Sequence, residues 1–131
     1  MNYLAIVVAA VAAFVFSAVW YGVFGQDMAK LHPAYADPAA AMRPPAWKML
    51  VEVVRSLILA YVLSRFVVLL GVVDWRGAIR LGLWMWVGFP FVLWTGAVVW
   101  ENVPPKLAAI HAGDWLVKLL LITVVVGLWR R

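Results

Sequence analysis

The chain has 131 residues, of which 67% are hydrophobic, and its mean hydropathy is +0.97. Soluble domains are about 45–50% apolar, so this composition excludes an ordinary soluble domain and predicts an all-α integral membrane protein. The formal net charge is +5, but the basic residues flank apolar stretches, which indicates contact with the lipid bilayer and not with nucleic acid. The absence of cysteine excludes disulfides, thiolate nucleophiles and thiolate metal sites.

Four apolar segments are long enough to cross a bilayer as helices, and they predict a four-helix bundle made of two hairpins. The predicted transmembrane helices cover residues 3–24, 47–73, 78–100 and 107–129 of a single domain, 1–131. The first segment lacks a basic residue ahead of its apolar run, so we expect a retained helix and not a cleaved signal peptide. Residues 25–46 contain four prolines and are predicted to form a loop.

Small residues recur every four positions along one face of the first helix. They are Ala5, Ala9, Ala13 and Ser17. Small side chains allow two helix backbones to approach closely in lipid, so this face predicts a homodimer interface. The alternative is an alanine-rich apolar helix in which the spacing has no special meaning.

The third segment combines a proline with an unusual number of tryptophans. Pro90 is expected to kink the helix, because it removes a backbone donor in mid-helix. The tryptophans are Trp84, Trp86, Trp94 and Trp100. A kink lined by aromatic rings suits a pocket for a flat or apolar ligand. The alternative is ordinary packing, with the tryptophans at the membrane interfaces.

Charged residues interrupt the second and fourth segments at matching depths. His111, Asp114 and Lys118 share one face of the fourth helix, at spacings i, i+3 and i+7. Glu52 and Arg55 share one face of the second helix. At a rise of about 1.5 Å per residue, Arg55 and Asp114 both lie about 12 Å below the surface that carries the two longer connections.

We therefore predict a buried polar cluster between the second and fourth helices, with an ion pair between Arg55 and Asp114 as its centre. Two pairs within helices are also expected, Glu52 with Arg55 and Asp114 with Lys118. In the functional interpretation, the cluster binds or translocates a small ligand or ion through an opening fringed by aromatic and polar residues. The fringe residues are Trp20, Tyr21, Trp100, Glu101 and Asn102.

A second interpretation treats the charges as structural, in a non-catalytic scaffold or anchor subunit. A site should have a water-filled opening that reaches Glu52 or His111, whereas a scaffold should pack the charges dry. The sequence has no nucleophile–base arrangement, phosphate loop or HExxH motif. We therefore predict no enzymatic activity and no cofactor. We also predict no metal site, because His111 and Asp114 are too few ligands for a metal.

Several blocks of the sequence resemble a family of short bacterial four-span membrane proteins, catalogued as a domain of unknown function. The most distinctive block is ENVPPKLAAIHAGDWLVKLLL, followed by VVVGLW; the others are MNYLAIVVAAVAAFV, VWYGVFG, LILAYVLS and LWMWVGF. The first loop departs from the family, which often has a tryptophan soon after the FG step where this chain has GQDMAKLHP. The resemblance implies four spans in a bacterial inner membrane and implies no activity or site residues. The basic residues are divided almost equally between the two sides, and we expect both termini in the cytoplasm.

Overall fold

The computed structural model describes residues 2–33 and 44–129. These residues are mostly helical. The helices are α1 (Tyr3–Leu31), α2 (Ala46–Leu69), α3 (Trp75–Gly88), α4 (Pro90–Trp100) and α5 (Pro105–Leu128). No strand occurs in the described ranges, so the all-α prediction is confirmed there.

Three helical stretches are long and apolar enough to cross a membrane. They are α1, the continuous run from Trp75 to Trp100 that contains α3 and α4, and α5. Helix α2 has the same length as α5, 24 residues, but it is not among these three, because four charged side chains interrupt its apolar sequence. Those side chains are Lys48, Glu52, Arg55 and Arg65. Three of the four predicted segments are therefore helical stretches long and apolar enough to cross a membrane.

Helix α1 extends beyond its predicted end. We expected it to stop at residue 24, yet it continues to Leu31, so the predicted loop is wrong over residues 25–31. The extra turns are stabilised by tertiary contacts: Met28 is buried against Leu107 and Ile110 of α5. The helix stops just before Pro33, which cannot continue it. The remainder of the predicted loop, residues 34–43, lies outside the described residues.

The kink predicted at Pro90 is present. Helix α3 ends at Gly88, the backbone of Phe89 leaves helical geometry (φ −121°, ψ −76°), and α4 starts at Pro90. Proline has no N–H and its ring clashes with the preceding turn, so the helix cannot pass straight through this position. At the other end of α3, Asp74 caps the helix by accepting a hydrogen bond of 2.8 Å from the N–H of Gly77.

Helix α5 is the centre of the bundle, since it packs against each of the other four helices. Helices α1 and α2 also pack against each other. The core between these three helices includes Ala9 and Ala13 of α1, Ala60 and Leu63 of α2, and Ile122 of α5, all of them buried. Large aliphatic side chains of α2 and α5 thus fill the space that the alanines of α1 leave open.

This core corrects the predicted dimer interface. The face marked by Ala5, Ala9 and Ala13 is buried inside the protomer, where α2 and α5 cover it. Ser17, the fourth member of that face, hydrogen-bonds to α5. The small residues do allow helices to approach closely, but the helices that approach belong to the same chain. The prediction that this face forms a homodimer interface is therefore wrong.

Candidate functional site

Asp114, near the middle of α5, is the most deeply buried charged residue that the structure describes, with 1% of its surface exposed. Its Oδ1 accepts a hydrogen bond of 2.7 Å from the hydroxyl of Ser17, and its Oδ2 accepts one of 3.3 Å from the hydroxyl of Tyr21. The ammonium of Lys118 lies 3.2 Å from Oδ2. We call Ser17, Tyr21, Asp114 and Lys118 the Asp114 clasp, because the carboxylate joins α1 to α5.

Local spacing explains why the members of the clasp on each helix share a face. Ser17 and Tyr21 are four residues apart on α1, and Asp114 and Lys118 are four apart on α5, so each pair lies on one helix face. The i, i+4 ion pair predicted within the last helix is present. Each oxygen of the carboxylate has a donor, which is the condition for burying such a charge without a large penalty.

His111 connects the clasp to α4. Its Nδ1 lies 2.8 Å from the Tyr21 hydroxyl, and its ring is stacked on Trp94 with centroids 4.6 Å apart and planes 9° from parallel. A hydroxyl carries one proton, so Tyr21 donates it either to the carboxylate of Asp114 or to Nδ1 of His111. The imidazole therefore lies between an aromatic ring of α4 and the polar groups that join α1 to α5.

The structure does not contain the predicted ion pair between Arg55 and Asp114, and that prediction is wrong. Arg55 pairs with Glu52 within α2, and this i, i+3 pair was also predicted. These two side chains are 56% and 48% exposed. Ser56 is the first buried residue of α2. Arg55 is one residue earlier, which is a rotation of about 100° around the helix. This rotation turns the Arg55 side chain away from Asp114.

The predicted charged layer is thus divided into two groups. His111, Asp114 and Lys118 are joined through Tyr21, whereas Glu52 and Arg55 form a separate pair. A groove of about 310 Å³ between α2 and α5 is lined by Glu52, Arg55 and Lys118. The ammonium of Lys118 also lies 4.3 Å from the ring centroid of Trp115. Each carboxylate of this layer therefore has its basic partner on its own helix.

The predicted fringe residues are also divided between two places. Trp20 and Tyr21 lie in the contact between α1 and α5, where Trp20 donates a hydrogen bond of 2.9 Å from Nε1 to the carbonyl of Ile110. Trp100 and Glu101 line a different cavity, described below. Asn102 lies in the turn before α5 with a positive φ of 58°, a conformation that asparagine adopts more readily than most residues.

That second cavity lies between α2, α4 and α5 and has a volume of about 690 Å³. We call it the α2–α4 cleft. Its lining is mostly aliphatic and aromatic, with Leu59 and Val62 from α2 and the indole rings of Trp94, Trp100 and Trp115. The pocket expected at the kinked segment corresponds to this cleft, although Trp84 and Trp86 do not line it.

Sequence reasoning missed the contribution of Trp115. This residue follows Asp114 directly, so on α5 it is rotated by about 100° from the carboxylate. It therefore lines the cleft while Asp114 is turned toward α1. The signal was available in the sequence: a large aromatic residue next to a buried charge on a helix with apolar surroundings marks a second packed face.

Removal of the Tyr21 hydroxyl tests whether the clasp contributes to stability. We expect Tyr21→Phe to lower the free energy of unfolding by about 1 kcal/mol, because the hydroxyl contacts both Asp114 and His111 and such bonds are worth this much between membrane helices. The measurement is unfolding in mixed detergent micelles. Tyr61→Phe, at a tyrosine that is 43% exposed on α2, is the control and should leave stability unchanged. Equal stability of both variants would contradict a role for the hydroxyl.

The fold and the site together define a class: a small all-α protein with three membrane-type helical stretches, held by a buried carboxylate and containing a lateral aromatic cleft. A family model described as "protein of unknown function (DUF1761)" matches residues 4–127. The chain therefore belongs to the DUF1761 family, which confirms the resemblance to a domain of unknown function. No curated protein and no solved structure matches the chain significantly.

Proposed function

We propose that this chain crosses the membrane four times, with α2 as the additional span, and that it binds a small molecule with an apolar body in the α2–α4 cleft. The 24 residues of α2 extend about 36 Å at about 1.5 Å each, enough for a hydrocarbon core of about 30 Å. Four crossings place both termini on one side, which we propose is the cytoplasmic side of a bacterial inner membrane. The end of the cleft at Trp100 and Glu101, which we call its mouth, lies toward the opposite side.

The observation that carries this proposal is the size and lining of the cleft. Ligand pockets commonly have volumes of about 300–1,000 Å³ and mainly apolar and aromatic walls with few polar groups. The cleft has about 690 Å³, three indole rings and one carboxylate, that of Glu101.

The Asp114 clasp is better suited to holding helices than to holding a ligand. Its carboxylate oxygens already accept from Ser17, Tyr21 and Lys118. Within the described residues, no buried side-chain nitrogen or oxygen lacks a hydrogen-bond partner. A ligand would have to displace an existing bond to bind there. In the cleft, it would displace only lipid or water.

Trp94 links the α2–α4 cleft to the Asp114 clasp. The residue lines the cleft and is also stacked on His111, which contacts Tyr21 of the clasp. A ligand packed against the Trp94 indole would therefore contact a side chain that links α4, through His111, to the contact between α1 and α5. This arrangement supports a protein whose helix packing responds to occupancy, as translocation of a ligand requires.

Filling the cleft with a bulky side chain tests the proposal. Gly96 lines the cleft, and a β carbon added at this residue would have no atom within 4 Å, so an indole can be introduced there without a clash at Cβ. The neutral fluorophore N-phenyl-1-naphthylamine, added to protein in lipid nanodiscs, should bind saturably to the wild type. Gly96→Trp should weaken that binding at least about tenfold, which corresponds to about 1.4 kcal/mol.

The matched control is Gly88→Trp, because Gly88 has equally open space but is not among the lining residues. This variant should bind the fluorophore as the wild type does. Non-saturable binding, or equal binding by all three proteins, would exclude the cleft as the site.

A second candidate function is a non-catalytic scaffold or anchor subunit. The observation that favours it is the complete internal pairing of the Asp114 clasp, which fixes the register of α1 on α5. In a scaffold the cleft would hold a helix of another protein, and purified chain would not bind the fluorophore saturably. The nanodisc experiment therefore separates the two functions.

A further inference from the structure

We propose that the ligand of the α2–α4 cleft is a lipophilic organic cation, a molecule with a bulky apolar body and one positive charge. This inference rests on the proposed function and names the chemistry that the cleft would recognise. It depends on two independent features, the tryptophans of the walls and the electrostatics of the mouth.

The walls present three indole rings, and indole is the side chain whose face attracts cations most strongly. Trp94, Trp100 and Trp115 come from different turns of α4 and α5 and line one cavity. The Lys118 ammonium lies 4.3 Å from the ring centroid of Trp115, but Lys118 is not among the residues that line the cleft. The indoles also provide the broad apolar surface that the body of such a ligand requires.

The mouth of the cleft is negative. Glu101 is the only ionisable side chain among the described residues that line it. The same residue caps the C-terminal end of α4, where unpaired carbonyls give a helix a partial negative charge. A cation is therefore favoured there by both the side chain and the helix end.

Three basic side chains of α2 and α5 are each paired with a carboxylate. Lys106 is 3.3 Å from Asp27, and Lys118 is 3.2 Å from Asp114. Arg55 is paired with Glu52 in the adjoining groove. An anionic amphiphile entering the cleft would be repelled by Glu101, and the lining residues that the structure describes offer it no basic side chain. A neutral lipid chain would bind without any dependence on charge.

Two probes of the same shape and opposite charge test the inference, tetraphenylphosphonium and tetraphenylborate. Each is titrated against the protein in nanodiscs of zwitterionic phosphatidylcholine, and its partition into empty nanodiscs is subtracted. We expect tetraphenylphosphonium to bind saturably and to displace N-phenyl-1-naphthylamine, with the borate binding at least about tenfold more weakly. Gly96→Trp should abolish the binding of the cation.

Two substitutions assign the effect to named groups. Glu101→Gln should weaken tetraphenylphosphonium binding about threefold, the range expected for a solvent-exposed charge, and should leave binding of the neutral fluorophore unchanged. Trp100→Leu should weaken it by about three- to fivefold through loss of a cation–π contact. Both residues are exposed at the mouth, so neither change removes a core contact.

Asp74→Asn is the control, because it removes one negative charge from a residue outside the cleft lining, and asparagine can also cap the start of α3. It should leave cation binding unchanged. Equal affinities for the two tetraphenyl ions, or equal effects of Glu101→Gln and Asp74→Asn, would overturn the inference. In that case, saturable fluorophore binding blocked by Gly96→Trp would still support the proposed function. If neither the fluorophore nor the cation binds, both proposals fail.

Discussion

Replacing Asp114 with leucine is expected to lower the free energy of unfolding by about 3–5 kcal/mol, the usual effect of removing one partner of a buried ion pair. The substitution leaves the ammonium of Lys118 without its carboxylate and removes the acceptor of Ser17 and Tyr21. It also breaks the polar contacts of the clasp between α1 and α5. Unfolding in mixed detergent micelles, followed by tryptophan fluorescence and circular dichroism, measures the loss.

Two further variants show whether the loss comes from the unpaired charge. The double variant Asp114→Leu with Lys118→Met should recover most of the stability, because an apolar pair of similar volume often replaces a buried ion pair without loss. Asp27→Asn removes the acid of the exposed ion pair with Lys106, which also joins α1 to α5, and should change stability by less than about 1 kcal/mol. Equal effects of Asp114→Leu and Asp27→Asn would show that the clasp does not hold the bundle together.

Gly113→Leu is expected to destabilise the protein by about 1–3 kcal/mol through overpacking of the α1–α5 contact. A β carbon at Gly113 would lie 2.8 Å from Cζ2 of Trp20 and 3.2 Å from its Cη2. The indole cannot move aside freely, since its Nε1 donates to the carbonyl of Ile110 and its ring packs against Phe16 and Phe24. The two helices must therefore separate to admit the new side chain.

Gly96→Leu is the control for this prediction, because a β carbon at Gly96 meets no atom within 4 Å. Replacing a glycine inside a helix with leucine should leave its stability unchanged or raise it slightly. Separation of α1 from α5 by Gly113→Leu also removes the contacts of Asp114. The double variant Gly113→Leu with Asp114→Leu should therefore cost less than the sum of the single changes. Strict additivity would show that Gly113 and the clasp act independently.

The local parts of the fold were predictable from the sequence, because they depend on neighbours within one or two helical turns. The kink at Pro90 and the ion pairs within α2 and α5 belong to this group. The extension of α1 to Leu31 was not predictable in this way, because it is stabilised by the burial of Met28 against α5. A tertiary contact overrides the polar composition from which a loop was expected.

The predicted pair between Arg55 and Asp114 failed for a geometric reason. Counting residues gives the depth of a side chain along a helix, but it does not give the direction in which that side chain points from the bundle. Rotation by a single residue is about 100°, which is enough to replace Arg55 with Ser56 on the inner face of α2. The small-residue face of α1 failed similarly, since the spacing identifies a close contact and cannot identify the helix that makes it.

The aromatic half of the candidate site was predictable and the walls contributed by α2 were not. Trp94 and Trp100 follow Pro90 at helical spacing, so the sequence places them beside a kink. The position of Leu59 and Val62, across the cleft from these tryptophans, depends on how α2 packs on α5. No pattern within the α2 segment specifies that packing.

The central position of α5 has a consequence for the synthesis of the protein. Helices leave the ribosome in chain order, so the helix that contacts all the others emerges after them. Asp114 follows Ser17 by 97 residues, which at about 5–20 residues per second is a delay of about 5–20 s. Helices α1 and α2 are able to associate during this delay, but the hydroxyls of Ser17 and Tyr21 lack their carboxylate until α5 arrives. A nascent chain that stalls before Asp114 therefore lacks the carboxylate that joins α1 to α5.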